Sequence, residues 1–190
     1  MRRAEKVTQD LGVTRRLVEV REAMDCSPAA GACARSGPRW IRDHFQWGPC
    51  RWPIYWCDLP LLDTLDCGVF SVLAREAFSQ RGVTSLPAQL IQQFSLQDAG
   101  HWRARWIRAT GHPPDWVLDD LAYHEACAVV IEENACRIWD PTNNWWIDDA
   151  GLKGYETTLA VRIWTEGYGA PGEFLWGTKP VRPGEWVRLT

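Results

Sequence analysis

No segment of this 190-residue sequence is apolar for long enough to span a membrane, and residues 1–24 lack the apolar core of a signal peptide. These absences predict a cytoplasmic protein without a membrane partner, with non-classical secretion as the alternative. Internal repeats and low-complexity tracts are also missing. A chain of this length, with 46% hydrophobic residues, is long enough for one globular domain and short for two.

A strong charge of either sign is missing as well. The net charge is −3, which gives no reason to expect a nucleic-acid partner. Residues 115–156 nevertheless carry ten acidic side chains against only Arg137 and Lys153. This local excess favours solvated strand edges, with a cationic substrate as the alternative interpretation.

The seven cysteines are an odd number, so a complete disulfide framework is excluded. Without a signal peptide, reduced thiols are expected. Four cysteines form two pairs with a spacing of seven: Cys26 and Cys33, Cys50 and Cys57. Zinc knuckles usually place two to four residues between their ligands, so this spacing disfavours a metal site.

Tryptophan, in contrast, is unusually abundant, with thirteen residues. Each indole offers a large apolar surface and one N–H, so most should pack in the core or at its rim, and some could line an aromatic substrate groove. Residues 101–108 alternate basic and aromatic side chains. On a helix, Trp102 and Trp106 would share a face while Arg103 and Arg105 point apart, which favours packing over single-strand nucleic-acid binding.

The first half of the chain is predicted to be mainly helical. Residues 4–24 have an amphipathic pattern and residues 25–38 are rich in loop formers. The clearest helix begins at Asp66, an N-cap or first-turn acid, and stops at Gly82.

A second helix is expected near residues 84–85, with Pro87 in its first turn. Residues 101–107 extend it or form another helix.

The second half is predicted to be extended. Residues 126–131 and 135–139 form a hairpin, and further strands are expected at 145–147, 157–164 and 186–189. Helices followed by strands indicate an α+β fold, with N-terminal helices packed on an antiparallel sheet.

Three side chains stand in the order of a nucleophile, a base and an orienting acid. Cys67 lies at the predicted N-terminus of a helix, which favours a thiolate and offers backbone N–H groups to an oxyanion. His124 precedes a predicted strand, and Asp140 ends the next strand sixteen residues later. A hairpin would bring His124 and Asp140 together, so that Asp140 could hold the imidazole in position for Cys67.

The segments around these residues resemble the core of the transglutaminase-like superfamily, within the larger papain-like cysteine fold. Asp66-Cys67 and the helix through Gly82-Val83 are similar to that family's nucleophile helix. The His124 strand and the Asp140-Pro141-Thr142 ending resemble its histidine and aspartate strands. The match covers roughly residues 60–165, and its His–Asp half is the more specific.

The resemblance implies a cysteine-dependent acyl-transfer enzyme that uses Cys67, His124 and Asp140. Its thioester intermediate would lead to transamidation, deamidation or peptide hydrolysis, on peptide or protein substrates and without a cofactor. It also implies a single domain, residues 1–190, with an N-terminal helix and loop in 1–38 and a catalytic core in 60–165.

In this family a Trp or Gln upstream of the nucleophile often completes the oxyanion hole, together with the Cys67 backbone. The candidates here are Gln46, Trp47, Trp52 and Trp56. The alternative function is a non-catalytic protein of the same fold that binds a peptide or protein partner through a Trp-rich surface in residues 39–56.

Overall fold

A computed structural model describes residues 45–50, 62–133, 135–147, 157–164, 174–176 and 179–189. The elements are β1 (Gln46–Trp47), β2 (Thr64–Leu65), α1 (Cys67–Ser79), β3 (Ser85–Gln93), α2 (Leu96–Thr110), β4 (Val117–Leu118), β5 (Leu121–Glu132), β6 (Ala135–Asp140), β7 (Trp145–Trp146), β8 (Thr158–Ile163), β9 (Phe174–Trp176), β10 (Lys179–Val181) and β11 (Val187–Arg188). The fold is therefore mixed α and β. The helix and loop predicted in residues 1–38 lie outside the described residues. None of the helices described is both long enough and apolar enough to cross a membrane.

One large sheet organises the molecule. Its strand order is β10-β9-β6-β5-β3-β8-β11, with β4 paired to β5 and β7 paired to β6. Neighbours are antiparallel except β6 and β9, which are parallel. Strands β1 and β2 form a separate parallel pair directly before α1. The predicted hairpin of residues 126–131 and 135–139 is confirmed as β5 and β6.

Helix α1 forms as the sequence predicts. Asp66 Oδ1 accepts a hydrogen bond from the Val69 backbone N–H at 3.0 Å and caps the first turn. After the helix ends at Ser79, Gly82 adopts a φ of +69°, which glycine tolerates without a Cβ clash. On the inner face, the Ser71 hydroxyl donates to the Ala126 carbonyl at 2.9 Å and ties the helix to β5.

The helix predicted near residues 84–85 is wrong, because that segment is strand β3 at the centre of the sheet. Leu86, Ala88 and Leu90 are all fully buried, and the residues between them are only half-buried, so the period is two. Strand β3 pairs along its length with β5 and over five positions with β8. Residues 101–107 belong to a separate helix, α2, so strand β3 lies between the two described helices.

The sheet divides the core into two layers. On the α1 side, Ala74 and Phe78 pack against Cys127 and Trp139. The opposite layer contains Leu90 of β3, and its other buried members include Ala126, Ala128, Ile138 and Val161. Neighbouring residues of β5 and β6 therefore contribute to opposite layers, and this alternation decides where the polar side chains at the strand ends can meet.

Candidate active site

Cys67 is the first residue of α1 and is half-buried. The β1–β2 pair ends immediately before it, with Trp47 opposite Leu65. Asp66 holds the first turn by capping Val69, and its other carboxylate oxygen accepts a hydrogen bond from Cys50 Sγ at 3.0 Å. The backbone around Cys67 is thus fixed from both sides, as a nucleophile at a helix N-terminus requires.

His124 and Asp140 meet through the pairing of β5 with β6. Cys127 lies opposite Trp139, so the next position of β6, Asp140, lies opposite Ala126. His124 comes two residues before Ala126 on the same face of the sheet, which makes it the diagonal neighbour of Asp140. His124 Nε2 and Asp140 Oδ1 are 3.1 Å apart. The Nε2–H bond is not aligned for a linear hydrogen bond, so the contact is an ion pair at short distance. His124 is the fourth residue of β5, which begins earlier than the sequence predicts.

Asp140 is fixed by the turn that follows it. Its side chain is 2% exposed, and Oδ1 accepts hydrogen bonds from the backbone N–H groups of Thr142 at 2.9 Å and Asn143 at 3.3 Å. The Asn143 amide Nδ2 donates to Oδ2 at 2.7 Å. Sequence reasoning missed Asn143, although the predicted turn at residues 140–144 is the local signal for an Asp side chain that accepts from its own turn.

The charges of this pair support each other. Burial alone would lower the pKa of His124, but the charge of Asp140 and the nearby Cys67 side chain raise it well above 6.5. Burial alone would raise the pKa of Asp140, but His124 and Asn143 outweigh it and hold this pKa below 3.8. The two shifts agree in direction, and both favour the charged pair, an imidazolium beside a carboxylate.

Cys67 is the third member of this arrangement. Its thiol contributes to the raised pKa of His124, so the two side chains are near neighbours. The structure therefore brings together the three side chains that the sequence singles out, with His124 between an acid and a thiol.

Two neighbouring cavities open onto these residues. His124 and Asp140 line a cavity of about 770 Å³. Cys67 lines a second cavity of about 560 Å³. Trp47, Trp116 and Tyr123 line both. His124 and Cys67 are thus reached through adjoining spaces that share aromatic lining residues.

A cluster of four tryptophans, here called the tryptophan wall, borders both cavities: Trp47, Trp102, Trp106 and Trp116. The ring centroids of Trp47 and Trp106 are 5.1 Å apart, and those of Trp106 and Trp116 are 4.9 Å apart. All four side chains are half-buried. Trp102 and Trp106 share a face of α2 as predicted, but this face covers the site instead of entering the main core.

The arginines of α2 do not form a basic stripe. Arg105 donates a hydrogen bond to the Trp47 carbonyl at 2.7 Å and lies over the Trp47 ring at 5.6 Å. Arg103 donates to the Val117 carbonyl at 3.3 Å. Both side chains hold the tryptophan wall and its neighbours in place.

Comparison with protein-family models, curated proteins and solved structures finds no match to this chain. Among the described residues, no group of His, Cys, Asp and Glu side chains is arranged to hold a metal ion. Of the four cysteines considered for zinc, only Cys50 lies within the described residues.

The candidates for the oxyanion hole are partly placed. Gln46 is exposed and lines the cavity of His124, while Trp47 lines both cavities. The parallel pairing of β1 with β2 sets Gln46 opposite Thr64, three residues before Cys67. Trp52 and Trp56 lie outside the described residues.

Proposed function

We propose that this protein is a cysteine-dependent acyl-transfer enzyme that acts on amide or peptide substrates. The observation that carries the proposal is the position of the His124 ring, paired with Asp140 at 3.1 Å and close to the Cys67 thiol at the start of α1. A nucleophile, a base and an orienting acid in contact form the arrangement that covalent catalysis at a carbonyl requires. We further propose that the fold is transglutaminase-like, within the papain-like group, because α1 packs its Cys67 end against this hairpin.

The chemistry follows from the charges of the site. The Cys67 sulfur attacks the carbonyl carbon of an amide, and the developing oxyanion is stabilised by N–H groups near the start of α1. The His124 imidazolium then gives a proton to the leaving amine, which departs and leaves a thioester on Cys67. Water or a second amine attacks the thioester, the neutral imidazole takes its proton, and the thiol is regenerated. Hydrolysis, deamidation and transamidation differ in the attacking group and in the amide cleaved.

The cavities have the size that this substrate class needs. A space of about 770 Å³ beside His124 lies within the usual range for a bound ligand. One side of it is aromatic, and Gln46, Gln92 and Asn143 line it with amide groups. Such a surface combines apolar contact with donors and acceptors for a peptide backbone, which suits a peptide or protein substrate better than a purely apolar one.

The decisive experiment is alkylation of the full chain with iodoacetamide, followed by peptide mapping. Cys67 should react fastest, and His124→Ala should slow it by about tenfold or more, because the imidazolium partner of the thiolate is lost. Cys127 is an internal reference, since burial raises its pKa to about 12. The exposed His112 provides a matched His→Ala control. Equal and slow labelling of all cysteines, or no effect of His124→Ala, would reject the proposal.

Turnover identifies the reaction. With glutamine-containing peptides, ammonia release without amine incorporation indicates deamidation, incorporation of an added amine indicates transamidation, and a mass corresponding to cleavage indicates hydrolysis. Cys67→Ala should abolish the observed reaction.

A second candidate function is binding of a peptide or protein partner without catalysis. The tryptophan wall supports it, because four half-buried indoles lie beside the cavities instead of in the main core. This candidate predicts that Cys67→Ala retains the biological activity in full, whereas Trp116→Ala loses it.

A further inference from the structure

The two cavities differ in charge. Apart from the His124–Asp140 pair, Arg105 is the charged side chain among the described residues that line the larger cavity. The cavity of Cys67 is lined by Asp66, Asp115 and Glu125, and neither Lys nor Arg is among its described lining residues. The nucleophile therefore faces a negatively charged space, while the base faces a nearly neutral one.

We propose that the Cys67 cavity binds a positively charged group of the substrate, an ammonium or a guanidinium, and that Glu125 and Asp115 determine this specificity. The inference rests on the proposed function, because it assigns the substrate group that sits beside the nucleophile. The larger cavity would then hold the neutral part of the same substrate against the tryptophan wall.

The three carboxylates have different parts in this subsite. Asp66 is committed to the helix, since its oxygens accept from Val69 N and Cys50 Sγ. Glu125 is half-buried, and its Oε1 accepts a hydrogen bond from the Tyr123 hydroxyl at 2.7 Å, which orients the carboxylate and leaves further acceptor capacity. Asp115 is exposed, at the rim of the cavity. Glu125 and Asp115 are thus the pair that can meet an incoming cation.

The aromatic rings of the same cavity strengthen the preference. Trp106 and Trp116 stand nearly perpendicular, at 74° with their centroids 4.9 Å apart. Ring faces attract cations, and the attraction grows where water is displaced. The raised pKa of the Tyr123 hydroxyl, caused by burial and then by the Glu125 hydrogen bond, keeps this group neutral, so the negative charge belongs to the carboxylates.

The alternatives are unfavourable for a physical reason. A neutral apolar group in this cavity would remove water from Glu125 without replacing its hydrogen bonds, and an anionic group would add like-charge repulsion. A cation replaces the lost water and neutralises the charge. The sign of the selectivity therefore follows from the lining of the cavity and does not depend on the identity of the substrate.

The test uses two thiol-specific probes of similar length and opposite charge on the full chain. These are 2-(trimethylammonium)ethyl and 2-sulfonatoethyl methanethiosulfonate. In each reaction the Cys67 thiolate attacks the probe sulfur, a disulfide forms, and methanesulfinate leaves. Peptide mapping follows the rate of modification at Cys67 separately from that at Cys50. The rate of each probe at Cys67 is divided by the rate of the same probe with 2-mercaptoethanol, a neutral thiol.

The normalised rate with the cationic probe should exceed that with the anionic probe by about tenfold or more at low salt, as in other clefts lined by one sign of charge. Added salt should reduce this ratio. Glu125→Gln and Asp115→Asn should each lower it. Glu132→Gln is the matched control, because this exposed residue of β5 removes the same charge outside the cavity.

A normalised ratio near or below one in the unmodified chain would overturn the inference, and so would an equal decrease in Glu132→Gln. The Asp115→Asn variant keeps the test informative if Glu125→Gln does not fold, because Asp115 is exposed. Failure of the cation subsite can be distinguished from failure of the proposed function. If only the subsite is wrong, His124→Ala should still slow the reaction of Cys67 with iodoacetamide.

Discussion

At the scale of single residues, the charge of His124 depends on one neighbour. Burial favours the neutral ring and Asp140 favours the charged ring, and the carboxylate wins because it is 3.1 Å away and is itself buried. Without a carboxylate at position 140, burial would decide. The acid is thus responsible for the protonated state on which the proposed proton transfer depends.

Replacing Asp140 with Asn tests this balance directly. We expect the pKa of His124 to fall from well above 6.5 to below it, because desolvation then acts without an opposing charge. The measurement is an NMR titration of the imidazole signals. The exposed His112 serves as an internal reference whose titration should not move. An unchanged titration of His124 would show that Asp140 is not the group that holds its charge.

The residues of the site differ in how far the sequence alone could reveal them. Cys67, His124 and Asp140 could be predicted because each lies next to a local signal, a helix cap, a strand or an Asp-Pro turn. Trp116, Tyr123 and Glu125 could not, since their places in the cavities depend on how α2 and β5 pack around Cys67.

At the scale of elements, the position of Cys67 depends on the start of α1. Asp66 links this start to the preceding loop, since one carboxylate caps the helix and also binds Cys50. Burial and the Asp66 hydrogen bond raise the pKa of the Cys50 thiol to about 12, so Cys50 remains a neutral donor to Asp66. The cap therefore has a structural and a positioning role.

Asp66→Ala should reduce the free energy of unfolding by about 1 kcal/mol, the usual cost of losing an N-cap. It should also slow the alkylation of Cys67, because the first turn of α1 loses its anchor. Ser95→Ala is the control, since Ser95 caps α2 through the Asp98 N–H at 3.1 Å. We expect a similar loss of stability in urea unfolding for both variants, but slower alkylation only for Asp66→Ala. Equal alkylation rates in the two would contradict a positioning role for the cap.

The error at β3 shows where local patterns become ambiguous. Leu86 and Leu90 are four residues apart, which fits one face of a helix, and they are also two strand repeats apart. Proline is favoured early in a helix, but Pro87 lies in a strand here. Its carbonyl accepts a hydrogen bond from the Trp164 backbone N–H at 2.9 Å. The neighbouring strands β5 and β8 decide the outcome, and they come later in the sequence.

At the scale of the whole molecule, the site forms where distant segments meet at one end of the sheet. Helix α1 supplies Cys67, the β5–β6 hairpin supplies His124 and Asp140, and α2 supplies two tryptophans of the wall. The hairpin could be predicted because its strands are adjacent in sequence. The strand order could not, since β9 pairs in parallel with β6 across a long separation.

The His124–Asp140 pair also links the stability of the whole molecule to pH. The pKa of His124 is raised above its ordinary 6.5 in the folded state, so its contribution to stability is complete below 6.5 and is lost as pH rises through the folded pKa. The pKa of Asp140 is lowered below its ordinary 3.8, so its contribution is complete above 3.8 and is lost as pH falls through the folded pKa. The pair is therefore most stabilising between these two ordinary values.

The difference in free energy of unfolding between the unmodified chain and Asp140→Asn should follow this window. Near pH 5.5 it should be about 3–5 kcal/mol, the cost of removing one partner of a buried ion pair. At pH 9 it should be smaller, because the contribution of the raised His124 pKa declines as pH rises above 6.5. Urea unfolding at both pH values measures this difference.

Asp120→Asn is the control. Asp120 accepts a hydrogen bond from the Gln93 side chain at 2.7 Å at the surface, and the partner in this contact is an amide and not a histidine. The loss of unfolding free energy caused by Asp120→Asn should not change with pH. If the loss caused by Asp140→Asn grew toward pH 9, the charged His124–Asp140 pair would be contradicted.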